Sequence, residues 1–213
     1  MEGVTLHWEA VPPEVQQAFR RLSRALTSGD FYLAGGTALA LQFGHRVSVD
    51  LDVFSPSLAD AEPLAARLRS DLSELEITST SHRTVEAALA GVPVSFFGYS
   101  YPLVAPLVTA GPGLLSLASI DDIAAMKLAA IASRGSRKDF VDLWLILHHG
   151  RSAEQCLASF SRKFATRDLG HVVRSLVYFD DAEAEPPLRL LVEIAWQQVK
   201  DDLLRTVGPL LGR

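Results

Sequence analysis

Cysteine is nearly absent, with Cys156 the sole example among 213 residues. That excludes an intramolecular disulfide and a cysteine-rich zinc site, and it suits a reducing cytoplasm. Long apolar runs are missing as well. No stretch approaches the roughly 20 residues that a bilayer-crossing helix needs. The opening MEGVTLHWEAVPPEV has no basic region leading into an apolar one, so no signal peptide is expected. An excess of positive charge is also lacking: the formal net charge is −5, which argues against a protein that coats nucleic acid. The chain shows no internal repeat, no low-complexity tract and no Walker-type phosphate loop. Nor does it offer a serine or cysteine nucleophile beside a convincing general base.

What is present is ordinary for a globular protein: 48% hydrophobic and 21% charged residues, enough to bury a sizeable core. The length fits one domain, or one domain with a helical extension. Charge is distributed unevenly. Asp50 to Glu86 holds eight acids against three bases, whereas Arg134 to Arg174 holds eight bases against four acids. A basic stretch beside an acidic, metal-seeking one suits a polyanionic substrate, although solvated helix faces account for the same pattern.

Periodicity divides the chain into two halves. Val15, Phe19, Leu22 and Leu26 recur at helical spacing and predict a first helix over 13–28, stopped by Gly29 and Asp30. Phe31–Ala34 reads as a short buried strand, Gly35–Thr37 as a turn, Ala38–Phe43 as a helix and Val49–Phe54 as a second strand. A helix over 58–72 and strands over 75–81, 84–90 and 92–99 follow. Beyond Gly111-Pro112-Gly113, Ser119-Ile120-Asp121-Asp122 resembles a capping box and opens a run of helices over 120–133, 137–148, 152–165, 168–179 and 188–207. The expected organisation is an α/β core over 1–113 and a helical region over 114–213, packed as one compact unit. The fold class is α+β.

The chemistry concentrates in two places. Alternation along a strand would put Asp50 and Asp52 on one face about 7 Å apart, with Leu51 and Val53 directed into the core. Two carboxylates on one face suit Mg²⁺, or Mn²⁺, with water and phosphate oxygens completing its shell. Gly35 and Gly36 would let the backbone approach a triphosphate closely, and Thr37 adds a hydroxyl at the start of a helix. The second place is Met126–Trp144. Lys127 and Arg134, seven residues apart, share a helix face and provide cations for phosphates. Asp142 lies on a helix that is apolar nearly all round, so its carboxylate needs a partner, most economically a lysine or a metal. The plainer alternative has Asp139 and Asp142 pairing with Arg134 or Arg137 to tie helices together.

Leu33-Ala34-Gly35-Gly36-Thr37-Ala38-Leu39 with Arg46-Val47-Ser48-Val49-Asp50-Leu51-Asp52 resembles the first motif of the AbiEii/AbiGii nucleotidyltransferase-like toxins. Lys127–Ile131 through Arg134 resembles their second motif, and Lys138–Leu143 their third. The resemblance implies a minimal polymerase-β-like nucleotidyltransferase mixed sheet with flanking helices, followed by a C-terminal helical bundle. It implies that Asp50 and Asp52 hold Mg²⁺, that Lys127 and Asp142 serve catalysis, and that Gly35, Gly36, Thr37, Ser48 and Arg134 contact the nucleotide. It further implies a nucleoside triphosphate substrate, a tRNA acceptor, a cognate antitoxin and a cytoplasmic setting. One departure stands out. Where many nucleotidyltransferases carry a third carboxylate on a later strand, this chain has Ser95, which leaves room for a binding or regulatory protein of the same fold with reduced turnover.

Overall fold

The computed structural model describes residues 5–26 and 30–211. Residues 27–29, where the first helix was expected to stop, lie outside them. The described chain forms two compact units, one of residues up to 102 plus 106–118, the other of 103–105 plus 119 onward.

The first unit is built on a mixed sheet. Helix α1 (Pro13–Ala25) begins with proline at its first position, where the missing N–H costs nothing, and buries Val15, Ala18, Phe19 and Leu22. Strand β1 (Tyr32–Ala34) runs straight into α2 (Gly35–Phe43), followed by β2 (Leu51–Ser55), α3 (Ala61–Asp71), β3 (Leu75–Ser81), β4 (Thr84–Leu89), β5 (Val92–Gly98) and β6 (Ser116–Leu117). The strand order is β3-β4-β5-β2-β1-β6. Neighbours pair antiparallel except β2 with β5 and β1 with β6, which run parallel. One face carries Leu51, Val53, Val85, Val94 and Phe96, all buried. Removing a side chain such as Phe96 from water contributes about 1.5–3 kcal/mol.

Two boundaries in this unit differ from expectation, for local reasons. Asp50 lies just before β2 rather than on it. Position 50 would come opposite Pro93, which has no N–H to offer the ladder, and β1 has already ended at the Ala34–Asp52 pair. The helix expected to follow a Gly35–Thr37 turn instead begins at Gly35 itself. Strand β6, two residues long, is too short to leave a periodic signal. It pairs with β1, and Ala118 N–H donates to the Leu33 carbonyl (2.8 Å), which moves the unit boundary past the expected residue 113.

The second unit is helical: α4 (Ile120–Ser133), α5 (Arg137–His148), α6 (Ala153–Phe164), α7 (Gly170–Ser175), α8 (Asp180–Glu183) and α9 (Trp196–Val207). Helix α4 is its axis, packing on α5, α6 and α7. One leg of the expected capping box forms, with Asp122 N–H donating to Ser119 Oγ (3.0 Å), while that hydroxyl donates to Asp122 Oδ2 (2.6 Å). Asp122 also accepts from the Val104 and Ala105 amides (3.0 and 3.3 Å), which recruits 103–105 into this unit. The expected helix over 168–179 is shortened to Gly170–Ser175, and Phe179 turns onto Phe140 and Trp196, with ring centroids 5.0 and 6.0 Å away. The expected helix over 188–207 starts only at Trp196, because Pro187, Leu188, Leu190 and Ile194 line an apolar cavity against that ring instead of coiling.

Candidate active site

In the first unit the chemistry gathers where β1 becomes α2. Thr37 Oγ donates to the Asp50 carbonyl (2.5 Å), lies 2.8 Å from Ser48 Oγ and reaches Asp50 Oδ1 at 3.3 Å. Ser48 Oγ approaches the same carboxylate oxygen at 3.4 Å. Thr37 thus holds the Asp50 backbone, and Ser48 is the hydroxyl left to donate to its carboxylate, so the residue is placed by these contacts rather than by strand alternation. Asp52, the β2 residue paired with Ala34, brings its Oδ2 against Gly35 at the start of α2. Both carboxylates are half-buried and converge on the first three helical residues.

The glycine pair explains how they can. Gly35 has φ +66°, a conformation L side chains rarely adopt, and a Cβ there would come within 2.6 Å of Asp52 Oδ2. A Cβ on Gly36 would collide with the Arg46 guanidinium, which packs over that residue and reaches Ser48 Oγ at 3.5 Å. The space expected to admit a triphosphate backbone therefore also admits two of the protein's own charged groups. Arg46, 4% exposed, is a site residue the sequence reading did not single out. Its place between the glycine pair and the Asp-x-Asp segment was the only signal for it.

Along the same sheet face, Asp52 stands opposite Ser95 on β5, and Ser95 opposite Glu86 on β4. The position without a carboxylate is thus the direct cross-strand neighbour of Asp52, and Glu86 sits one strand farther out. Among the described residues no group of three or more histidine, cysteine, aspartate or glutamate side chains is arranged around a metal position. Beyond Asp52 the face becomes aromatic. Phe54 stacks on Tyr32 (5.9 Å), and Tyr99 meets Phe54 and Tyr101 edge-on (5.1 and 5.0 Å).

The second unit holds a buried ionic cluster. Lys127 Nζ lies 2.8 Å from Asp139 Oδ1 and 2.6 Å from Asp142 Oδ2, and neither carboxylate has any solvent exposure. Asp139 Oδ2 also accepts from Arg134 Nε (3.1 Å) and Ser136 Oγ (2.8 Å). Burial pushes the Asp139 carboxyl up, but the charges and hydrogen bonds of Lys127 and then Arg134 outweigh it and hold the group below the ordinary carboxylate range. Lys127, Arg134 and Asp142 are brought together, with Asp139 between the two cations, and the Asp139–Arg134 pair is one that the plainer alternative named. Asp142 is closed to water and engaged by Lys127. The Arg134 side chain remains 58% exposed.

The basic stretch 134–174 is largely spent internally. Arg137 donates to the Ala182 carbonyl (3.0 Å), Arg151 pairs with Asp121 (2.7 Å), and Lys163 is fully buried against Asp122 (2.7 Å). Lys163 is therefore structural and faces no substrate. Burial pushes the Cys156 thiol up to about 12, in keeping with the absence of a cysteine nucleophile.

Residues 17–210 match the family described as nucleotidyl transferase AbiEii toxin, type IV TA system. An uncharacterized protein of Aquifex aeolicus is 36% identical over 200 residues, covering 93% of this chain and 96% of that protein. Among solved structures, a candidate nucleotidyltransferase from H. pylori superposes with a TM-score of 0.56 at 19% identity, over 92% of this chain and 93% of its own. MenT4, a nucleotidyltransferase toxin from Mycobacterium tuberculosis, superposes with a TM-score of 0.53 at 15% identity, over 90% of this chain and 82% of its own. At those identities the superpositions speak for the fold. Among the described residues, no helix is long and apolar enough to cross a membrane.

Proposed function

This chain belongs to the AbiEii nucleotidyltransferase toxin family, and from that premise we propose that it transfers a nucleotidyl group from a nucleoside triphosphate to an RNA acceptor, tRNA in the first instance, using a divalent cation held by Asp50 and Asp52. The observation that carries the proposal is the convergence of both carboxylates on the start of α2, with Asp52 Oδ2 seated where a Gly35 side chain would be.

The donor set fits Mg²⁺ or Mn²⁺. Two hard oxygen ligands from the protein, without a complete protein cage, are what Mg²⁺ takes when phosphates and water fill the other positions. When bound, such an ion neutralises phosphate charge and lowers the barrier to displacement at phosphorus.

The chain's own residues do the rest. Thr37 holds the Asp50 backbone and Ser48 adjoins its carboxylate, so the group is positioned before ligand arrives. The first-turn amides of α2 have no intrahelical acceptor and suit phosphate oxygens. Arg46, buried beside Gly36, offsets the negative charge that Asp50 and Asp52 concentrate there. In the second unit, Asp139 and Asp142 hold Lys127 in one position, and Arg134 is the cation of that cluster with most of its surface in water. We assign Arg134 to a phosphate and Asp142 to the positioning of Lys127. A toxin family also implies an antitoxin partner, which the reading includes.

Purified protein incubated with each labelled nucleoside triphosphate, Mg²⁺ and total tRNA should label RNA, and Asp52→Asn should abolish the labelling. Equal labelling by wild type and Asp52→Asn, or none with any triphosphate, contradicts the proposal.

A further inference from the structure

A cavity of about 450 Å³ opens beside α6 and α7 in the second unit, lined by Leu157, Arg167, Asp168, Val173, Arg174 and Leu210 among others. That volume is in the range of ligand sites. Its arginines are unusual within their own stretch. Arg134, Arg137, Arg151 and Lys163 each meet a carboxylate. Arg167 and Arg174 are exposed and form no ion pair among the described residues. Asp168 lines the same cavity, its Oδ1 accepting from the Gly170 amide (3.2 Å), and its charge offsets one of the two guanidinium groups. A chain with a net charge of −5 thus keeps an excess of positive charge, two guanidinium groups against one carboxylate, at one concave, partly apolar place.

The cavity is also connected to the buried cluster. His171 and Arg174 are three residues apart on α7 and so lie on one face. His171 Nε2 is 3.1 Å from the Ala132 carbonyl, which pins α7 to the last turn of α4. Arg134 caps that helix and, through Asp139, adjoins Lys127. Arg174 therefore lies on the helix that His171 fastens to the end of α4, where Arg134 stands.

Resting on the reading that the acceptor is RNA, we propose that the Arg167–Arg174 cavity seats the sugar-phosphate backbone of that RNA, away from the nucleotide that reacts. Guanidinium groups bind phosphate through paired N–H donors, which a lysine-lined surface cannot imitate. The leucine and valine lining takes the flat apolar faces of ribose and base.

The test uses full-length protein, a fluorescent tRNA acceptor hairpin and a double charge reversal, Arg167→Glu with Arg174→Glu. Arg69→Glu, an exposed arginine on α3, serves as the control. Anisotropy titrations should show the double variant binding RNA at least tenfold more weakly. Its salt dependence should be shallower by roughly one unit of log slope per lost phosphate contact. Nucleotide affinity and circular dichroism should match wild type, and Arg69→Glu should bind RNA normally. Unchanged RNA affinity in the double variant overturns the cavity assignment. So does a polyglutamate peptide that competes with RNA at equal affinity, which would give the cavity to an acidic protein partner. If wild type labels RNA and the double variant does so with unaltered KM, the cavity assignment fails while the transfer reading stands. If wild type neither binds nor labels RNA, the acceptor assignment fails and the cavity assignment with it.

Discussion

Lys127 Nζ sits 2.6 Å from Asp142 Oδ2 and 2.8 Å from Asp139 Oδ1, in a place almost closed to water. Two carboxylates and two cations, Lys127 and Arg134, balance there, and removing one member leaves an uncompensated buried charge. Lys127→Met should therefore destabilise the protein by about 3–5 kcal/mol. Asp142→Asn should cost less, about 1–3 kcal/mol, because Asp139 still holds the ammonium. Urea unfolding followed by circular dichroism checks both, and a Lys127→Met protein as stable as wild type contradicts the assignment.

The same cluster sets a pH dependence. The Asp139 carboxyl is held below its ordinary range in the folded chain, so the unfolded chain binds the proton more readily. Its stabilising contribution is complete above the unfolded value, about pH 4, and is lost as pH falls from there through the folded value. The acid limb of a stability–pH curve should accordingly be shallower in Asp139→Asn than in wild type. Parallel acid limbs count against the coupling of Asp139 to Lys127 and Arg134.

Gly35→Ala tests the seat of Asp52. The new Cβ would need a left-handed backbone, at a cost of about 1–2 kcal/mol, and would displace the carboxylate from 2.6 Å away. The expected outcome is a modest drop in unfolding midpoint with a much larger loss of divalent-ion binding. Loss of stability alone, with metal affinity intact, shows that Asp52 does not depend on that seat.

Ser95→Asp places a third carboxylate directly across from Asp52. Added ligand charge should strengthen divalent-ion binding by roughly tenfold, read by titration calorimetry. An unchanged or weaker affinity would mean that the position opposite Asp52 does not face the ion.

Lys163→Met should cost about 3–5 kcal/mol, because it strands Asp122 without its buried partner. Arg162→Glu, one residue earlier and exposed, should change stability by no more than about 0.5 kcal/mol. Thermal melts of the two variants separate a structural lysine from a surface arginine.

What the sequence revealed followed local rules. Helices 120–133 and 137–148 were readable because Ser119 caps one and Gly135 separates them, and both boundaries hold. The Gly-Gly and Asp-x-Asp segments were readable from residue type and spacing. Their mutual geometry was not, because it depends on Thr37 reaching back to Asp50 and on Arg46 folding over Gly36. Glycine announces a close approach without saying what approaches. Asp139 was read only as a partner for Arg134 or Arg137, and Lys163 was missed, for a related reason. Each looks like an ordinary charge on a helix, and its meaning comes from a partner on another helix, Lys127 and Asp122 respectively. Segment 188–195 looked helical because its apolar residues are spaced for it, but they pack around Trp196 in an irregular path. Tertiary burial overrode local periodicity there.

The central claim is that Asp50 and Asp52 together hold a divalent ion at the start of α2. Titration calorimetry with Mn²⁺, in the presence of a non-hydrolysable triphosphate, tests it most directly on wild type and on Asp50→Asn with Asp52→Asn. The account predicts one binding event in wild type that disappears in the doubly substituted protein while circular dichroism stays the same. Binding of equal affinity in both proteins would contradict it.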